Sequence, residues 1–155
     1  MDVVAWNAHS DALYDFSAKP AGAANMARHA FIDPEGRDFY PDWTNVARDT
    51  IAYLRLDTAR HPGDARLASF LDELAAANPD FRRLWQEHAV QEKTFGTKRL
   101  HHQHLGILDV GYETLALPGD ADQLLVVYTA RPNTPAAEAF AGVVEVEHSS
   151  HGRRI

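Results

Sequence analysis

The stretch Leu105–Pro132, LGILDVGYETLALPGDADQLLVVYTARP, decides the fold. Leu108, Val110, Tyr112 and Thr114 alternate with Asp109, Gly111 and Glu113, the period of a strand with one apolar face. Pro118, Gly119 and Asp120 punctuate it as a turn, and Leu124 to Ala130 resumes the strand character. The spacing predicts strands at 106–117 and 123–130, preceded by one at 98–103. The run LLVVYTA is apolar on both faces, which is the signature of a central strand.

Upstream, the period changes from two to 3.6. In YPDWTNVARDTIAYLR, from Tyr40, the residues Trp43, Val46, Ala47, Thr50, Ile51 and Leu54 recur at helical spacing behind Asp42, a plausible cap. His61, Pro62 and Gly63 end that helix, and Asp64 begins a second with Leu67, Phe70, Leu71 and Leu74 on one face. Asn78 and Pro79, cap and first-turn proline, open a third, PDFRRLWQEH, in which Phe81, Leu84, Trp85 and His88 share a face. Nearer the start, Val3 to Trp6 reads as a strand, Asn7 caps a brief helix with Leu13, and Asn25 starts another carrying Met26 and Phe31. Residues 17–24 are small and loop-like, Thr134 and Pro135 begin a short helix through Phe140, and the tail after Gly142 is expected to be loosely ordered. The predicted class is α+β, with aromatic-rich helices closing over one face of a small antiparallel sheet.

The 155 residues suit one domain that buries roughly two thirds of its extended-chain surface. A hydrophobic fraction of 45% with scattered aromatics argues for a packed core. The absence of cysteine removes disulfides, thiolate catalysis and Cys-based zinc sites, and is compatible with a reducing cytoplasm. No apolar run approaches the length of a membrane span, and no basic-then-apolar leader is present, so a cytoplasmic location and no membrane partner are expected. A net charge of −7, with lysine only at 19, 93 and 98, argues against the chain gripping a phosphate backbone by itself.

Three constellations carry chemistry. On the helix from Tyr40, Trp43, Ala47, Ile51 and Leu54 point inward while Arg48 and Arg55 flank them seven residues apart along one edge. Such an edge suits a carboxylate, because guanidinium is always charged and binds both oxygens; the plainer reading of each arginine is a surface ion pair. Trp43, Phe81, Trp85, Tyr112 and Tyr128 are large enough to line a cavity filled by an acyl chain, though aromatics at these periods equally build an ordinary core. His101, His102 and His104 invite a metal reading, against which stand the missing third ligand, the missing HExxH pattern and the weakness of histidine pairs as a signal. No nucleophile with its base and no phosphate loop is found, which favours holding a molecule over transforming one.

The blocks VVAWN and LY near the start, NMARHAFIDP, the YPDW helix ending in LR, HPGDARLASFLDEL, FRRLW and the final strand pair together resemble the ligand-binding domain of MmyB-like transcriptional regulators. The resemblance covers nearly the whole chain. It implies a PAS-like domain at 1–142, a tail at 143–155, and a helix-turn-helix DNA-binding half that stands outside this chain. It also implies a fatty-acid-like ligand held between helices and sheet, no cofactor and no catalytic residue, with Arg55 falling on the arginine of the LR ending. The ligand contacts it suggests, joined to the periodicities above, are Trp43, Ala47, Arg48, Ile51, Arg55, Phe81, Trp85, His88, Leu108, Val110, Tyr112, Val126 and Tyr128. The family domain enters through a hairpin whose first arm precedes VVAWN, so an open sheet edge is expected here, to be filled by another segment or another subunit. Two other readings are a small metal-dependent hydrolase built on the histidine cluster and a dimerisation module, and a homodimer is compatible with all three.

Overall fold

The computed structural model describes residues 1–87 and 94–151. The class is α+β: helices and one three-stranded antiparallel sheet. The residues fall into two compact units, one of Met1–Val4 with Pro20–Lys93 and one of Ala5–Lys19 with Thr94–Ile155.

The first unit is helical: α2 (Met26–Phe31), α3 (Gly36–Phe39), α4 (Trp43–Arg60), α5 (Ala65–Ala77) and α6 (Pro79–Gln86). The starts of α2, α5 and α6 follow from side chains that satisfy the free amides of a first turn. Asn25 Oδ1 accepts from the Ala27 and Arg28 amides, Asp64 Oδ1 from Arg66 and Leu67, and Asn78 Oδ1 from Asp80 and Phe81. Asp42 precedes α4 but caps nothing with its side chain, which accepts from Asn45 Nδ2 at 2.6 Å instead.

On α4 the residues Trp43, Ala47, Thr50, Ile51 and Leu54 are buried, as the 3.6 period requires. Phe31 from α2 meets the edges of Trp43 and Phe81 at centroid separations of 5.7 and 5.1 Å, and Trp43 Nε1 donates to the Ala30 carbonyl at 2.8 Å. Asn78 does double duty, since its Nδ2 also donates to the Phe31 carbonyl at 2.9 Å and ties α6 to α2. Gly36 sits where any side chain would collide: a Cβ there would lie 1.9 Å from the His29 carbonyl oxygen.

The second unit holds α1 (Ala8–Tyr14), a 3-10 turn at Phe16–Ala18, β1 (Phe95–His102), β2 (Gly106–Leu117), β3 (Asp120–Thr129) and α7 (Pro135–His151). The sheet order is β1-β2-β3, with Leu100 opposite Leu108, Lys98 opposite Val110 and Tyr112 between Gly96 and Tyr128. Leu100, Leu108, Val110 and Tyr112 are buried on one face. The alternate residues Thr97, Arg99, Asp109 and Glu113 are exposed on the other. Helix α1 brings Tyr14 against the buried face, its hydroxyl 3.0 Å from that of Tyr128. Helix α7 packs on β2 and on α1, where His9 Nε2 lies 3.0 Å from the Phe140 carbonyl.

Five expectations change. Strand β1 begins at Phe95, three residues early, and β3 begins at Asp120. Val3 to Trp6 is not a strand; only an isolated bridge joins Asp2 to Asn25, and Val4 and Trp6 are 79% and 42% exposed. A strand exists only where a neighbour completes its ladder, and local β propensity supplies no neighbour. Strand β3 is an edge and not a centre, because among the described residues β2 is its single partner. Finally, the helix after Thr134 does not stop near Phe140 but continues to His151.

Candidate functional site

The predicted contacts divide between the two units. In the first, Trp43, Ala47 and Ile51 lie buried on α4, Phe81 is buried on α6 and Trp85 is half-buried beside it, stacked on Phe81 at 5.5 Å. His88 lies outside the described residues.

The two arginines of α4 have different surroundings. Arg48 is exposed and its Nη2 lies 3.5 Å from a Glu87 carboxylate oxygen, an ordinary surface ion pair. Glu87 also receives Arg83 at 2.7 Å, and Arg83 and Arg37 both reach Asp80. The Arg37 guanidinium, then that of Arg83, holds the Asp80 carboxyl below the usual carboxylate range. Arg55, two turns further along the same edge, is half-buried and takes no part in that network.

The Arg55 guanidinium lies over the Trp85 ring at 5.1 Å and donates from Nη2 to the Trp85 carbonyl. Its Nε is buried and has no acceptor among the described residues. A charged donor buried without an acceptor is costly. Stacking on indole and a backbone hydrogen bond fix the guanidinium plane.

In the second unit, Leu108, Val110 and Tyr112 are buried on one sheet face, Tyr128 is half-buried on it, and Val126 is exposed on β3. The sequence reading overlooked two residues of this face. Tyr14 reaches Tyr128 from α1, 114 residues away in sequence. Lys98 shares the face with Leu100, and its ammonium lies 4.7 Å from the Tyr112 ring centroid. Gly96 makes room for that ring, since a Cβ at 96 would approach Tyr112 Cε1 to 3.1 Å. The alternation of Gly96, Lys98 and Leu100 was visible in the sequence once β1 is allowed to begin at Phe95.

The three histidines do not converge on one point, although the His102 and His104 rings lie 6.0 Å apart. His101 points to the exposed face of β1 while His102 lies on the opposite one. His102 Nδ1 accepts from the amides of His104 and Leu105, both at 3.1 Å, so its lone pair closes the β1–β2 turn. Burial chiefly, with His104 nearby, pushes the His102 pKa down, partly offset by its hydrogen bond to the Ala12 backbone and by Asp15. Among the described residues no group of three or more histidines and carboxylates is placed to hold a metal ion. No helix among them is long and apolar enough to cross a membrane.

No curated protein matches the chain. A family model, the MmyB-like transcription regulator ligand binding domain, matches residues 1–142, from the first bridge through the sheet and into α7. With so much of its length accounted for, helices and sheet alike, the chain belongs to that family of regulatory ligand-binding domains.

Proposed function

We propose that this domain senses a fatty-acid-like molecule and that Arg55 holds the carboxylate. The observation that carries the reading is the buried Nε, without an acceptor among the described residues, of an arginine whose plane is already set by Trp85. A carboxylate bound there gains a charge-assisted pair and relieves the stranded donor at the same time. The molecule is taken up and released without chemistry, and its binding shifts the population of domain conformations that a DNA-binding module reads.

The acyl part of the reading rests on the apolar company of Arg55. Ala47 and Ile51 share its helix, and the rings of Phe81 and Trp85 stack on α6. Each methylene removed from water contributes about 0.8 kcal/mol, so affinity for a homologous series rises with length until the available volume is filled. Calorimetry on delipidated protein with fatty acids of about eight to eighteen carbons tests this, a span matched to small-molecule cavities. The expected result is a steady gain of somewhat under 1 kcal/mol per methylene followed by a plateau. Replacing Ala47 by Leu is expected to move the plateau to shorter chains. Affinity independent of chain length would refute the acyl reading.

A further inference from the structure

We propose that the last turn of α6 is a latch over Arg55, which a carboxylate must lift to bind; this rests on the reading of Arg55 as the carboxylate holder. Arg55 Nε is buried, so no incoming group touches it while its present cover stays in place. Trp85 meets the guanidinium twice, with its ring at 5.1 Å and with its carbonyl on Nη2. A carboxylate takes an arginine side-on through Nε and Nη2 together, as Asp109 takes Arg99 at 2.8 Å on each nitrogen. On Arg55 those two nitrogens are the buried Nε and the one that holds Trp85. An arriving carboxylate and the Trp85 carbonyl therefore compete for Nη2.

The two ends of α6 are held unequally. Its start is fixed by Asn78, whose Nδ2 donates to the Phe31 carbonyl at 2.9 Å, and by buried Phe81, which meets the Phe31 ring. At its other end Trp85 is half-buried and the C-cap Glu87 is exposed. A second tie of this end to α4 runs from Arg48 Nη2 to a Glu87 oxygen at 3.5 Å, long for an ion pair and open to solvent. Such a pair contributes little, so the last turn can rise while the first stays docked. Arg48 is then a positioning residue that acts through α6 and touches no ligand. Apparent affinity scales with the fraction of molecules whose latch is raised, so loosening the Arg48–Glu87 tie tightens binding. A carboxylate contact at Arg48 would give the opposite result.

Calorimetry on the 155-residue chain, with a saturated acid of about twelve carbons and the alcohol of equal length, tests the proposal. Arg48→Gln and Glu87→Gln each release the tie and are expected to bind both probes about two- to fivefold more tightly. The double variant is expected to match either single one, since all three remove the same contact. As a second measurement, exchange of the Glu87 amide, which donates to the Leu84 carbonyl at 3.2 Å, is expected to quicken about threefold or more when the acid binds. A ligand that merely filled a fixed pocket would slow it. An Arg48→Gln variant that binds the acid more weakly and the alcohol unchanged overturns the latch and makes Arg48 a carboxylate contact. Unchanged affinities in both single variants, with slower Glu87 exchange, overturn it as well. Those two outcomes leave Arg55 as the holder, whereas acid affinity indifferent to Arg55→Met removes that reading and the latch with it.

Discussion

Replacing Arg55 by Met separates the two roles an arginine in this position could have. Without ligand, the variant loses a charged hydrogen bond to the Trp85 carbonyl, worth about 1.5–3 kcal/mol, and a cation–π contact of about 0.5–1 kcal/mol. It also removes a buried Nε that has no acceptor among the described residues, whose burial costs about 1–3 kcal/mol, and the methionine still covers the indole. These terms largely offset one another, so the net loss of stability is expected to be at most about 3 kcal/mol. Fatty-acid affinity behaves differently, because only the liganded state contains the guanidinium–carboxylate pair. Its loss is expected to weaken binding by roughly 10- to 150-fold, against no more than about threefold for the alcohol of equal length. Urea unfolding gives the first quantity and calorimetry with the acid and alcohol pair gives the second. Equal losses for acid and alcohol, with a stability loss above about 3 kcal/mol, would make Arg55 a structural cation and send the carboxylate elsewhere.

Other perturbations probe the frame around it. Gly36→Ala forces a methyl group into the His29 carbonyl, and urea unfolding is expected to show a loss of about 2–3 kcal/mol, with no effect meaning that α3 is placed otherwise. Asn78→Ala removes both the α6 cap and the tie to Phe31, for an expected loss of about 2–3 kcal/mol in the same assay; a loss below about 0.5 kcal/mol contradicts the double role. His102 has a lowered pKa in the folded chain, so the unfolded chain binds more protons there and stability falls as pH drops below the ordinary value of 6.5. Thermal melts from pH 7 to pH 5 should show that slope, and His102→Gln should flatten it. Zinc, nickel and manganese are expected to leave the melting temperature unchanged, because a native site stabilises the fold by linkage; a rise of several degrees abolished by His102→Gln would revive the metal reading.

The sequence by itself determined the elements whose causes are local. Apolar residues at 3.6 spacing put Trp43, Ala47, Ile51 and Leu54 on one face of α4, and Asn25, Asp64 and Asn78 begin their helices because their side chains reach amides two and three residues on. Alternation likewise sorted Leu108, Val110 and Tyr112 from Asp109 and Glu113 on β2. What tertiary structure alone decided depends on neighbours distant in the chain. Val3 to Trp6 has strand composition and no ladder, and LLVVYTA has the composition of a centre at the position of an edge, since composition says what a strand can bury and not what lies beside it. The two arginines of α4 share one edge of the helical projection, yet Arg48 pairs with Glu87, 39 residues away, while Arg55 lies on Trp85, 30 residues away, with one donor left unused among the described residues. That difference is set by where α6 crosses α4, a packing outcome that no window of sequence along either helix contains.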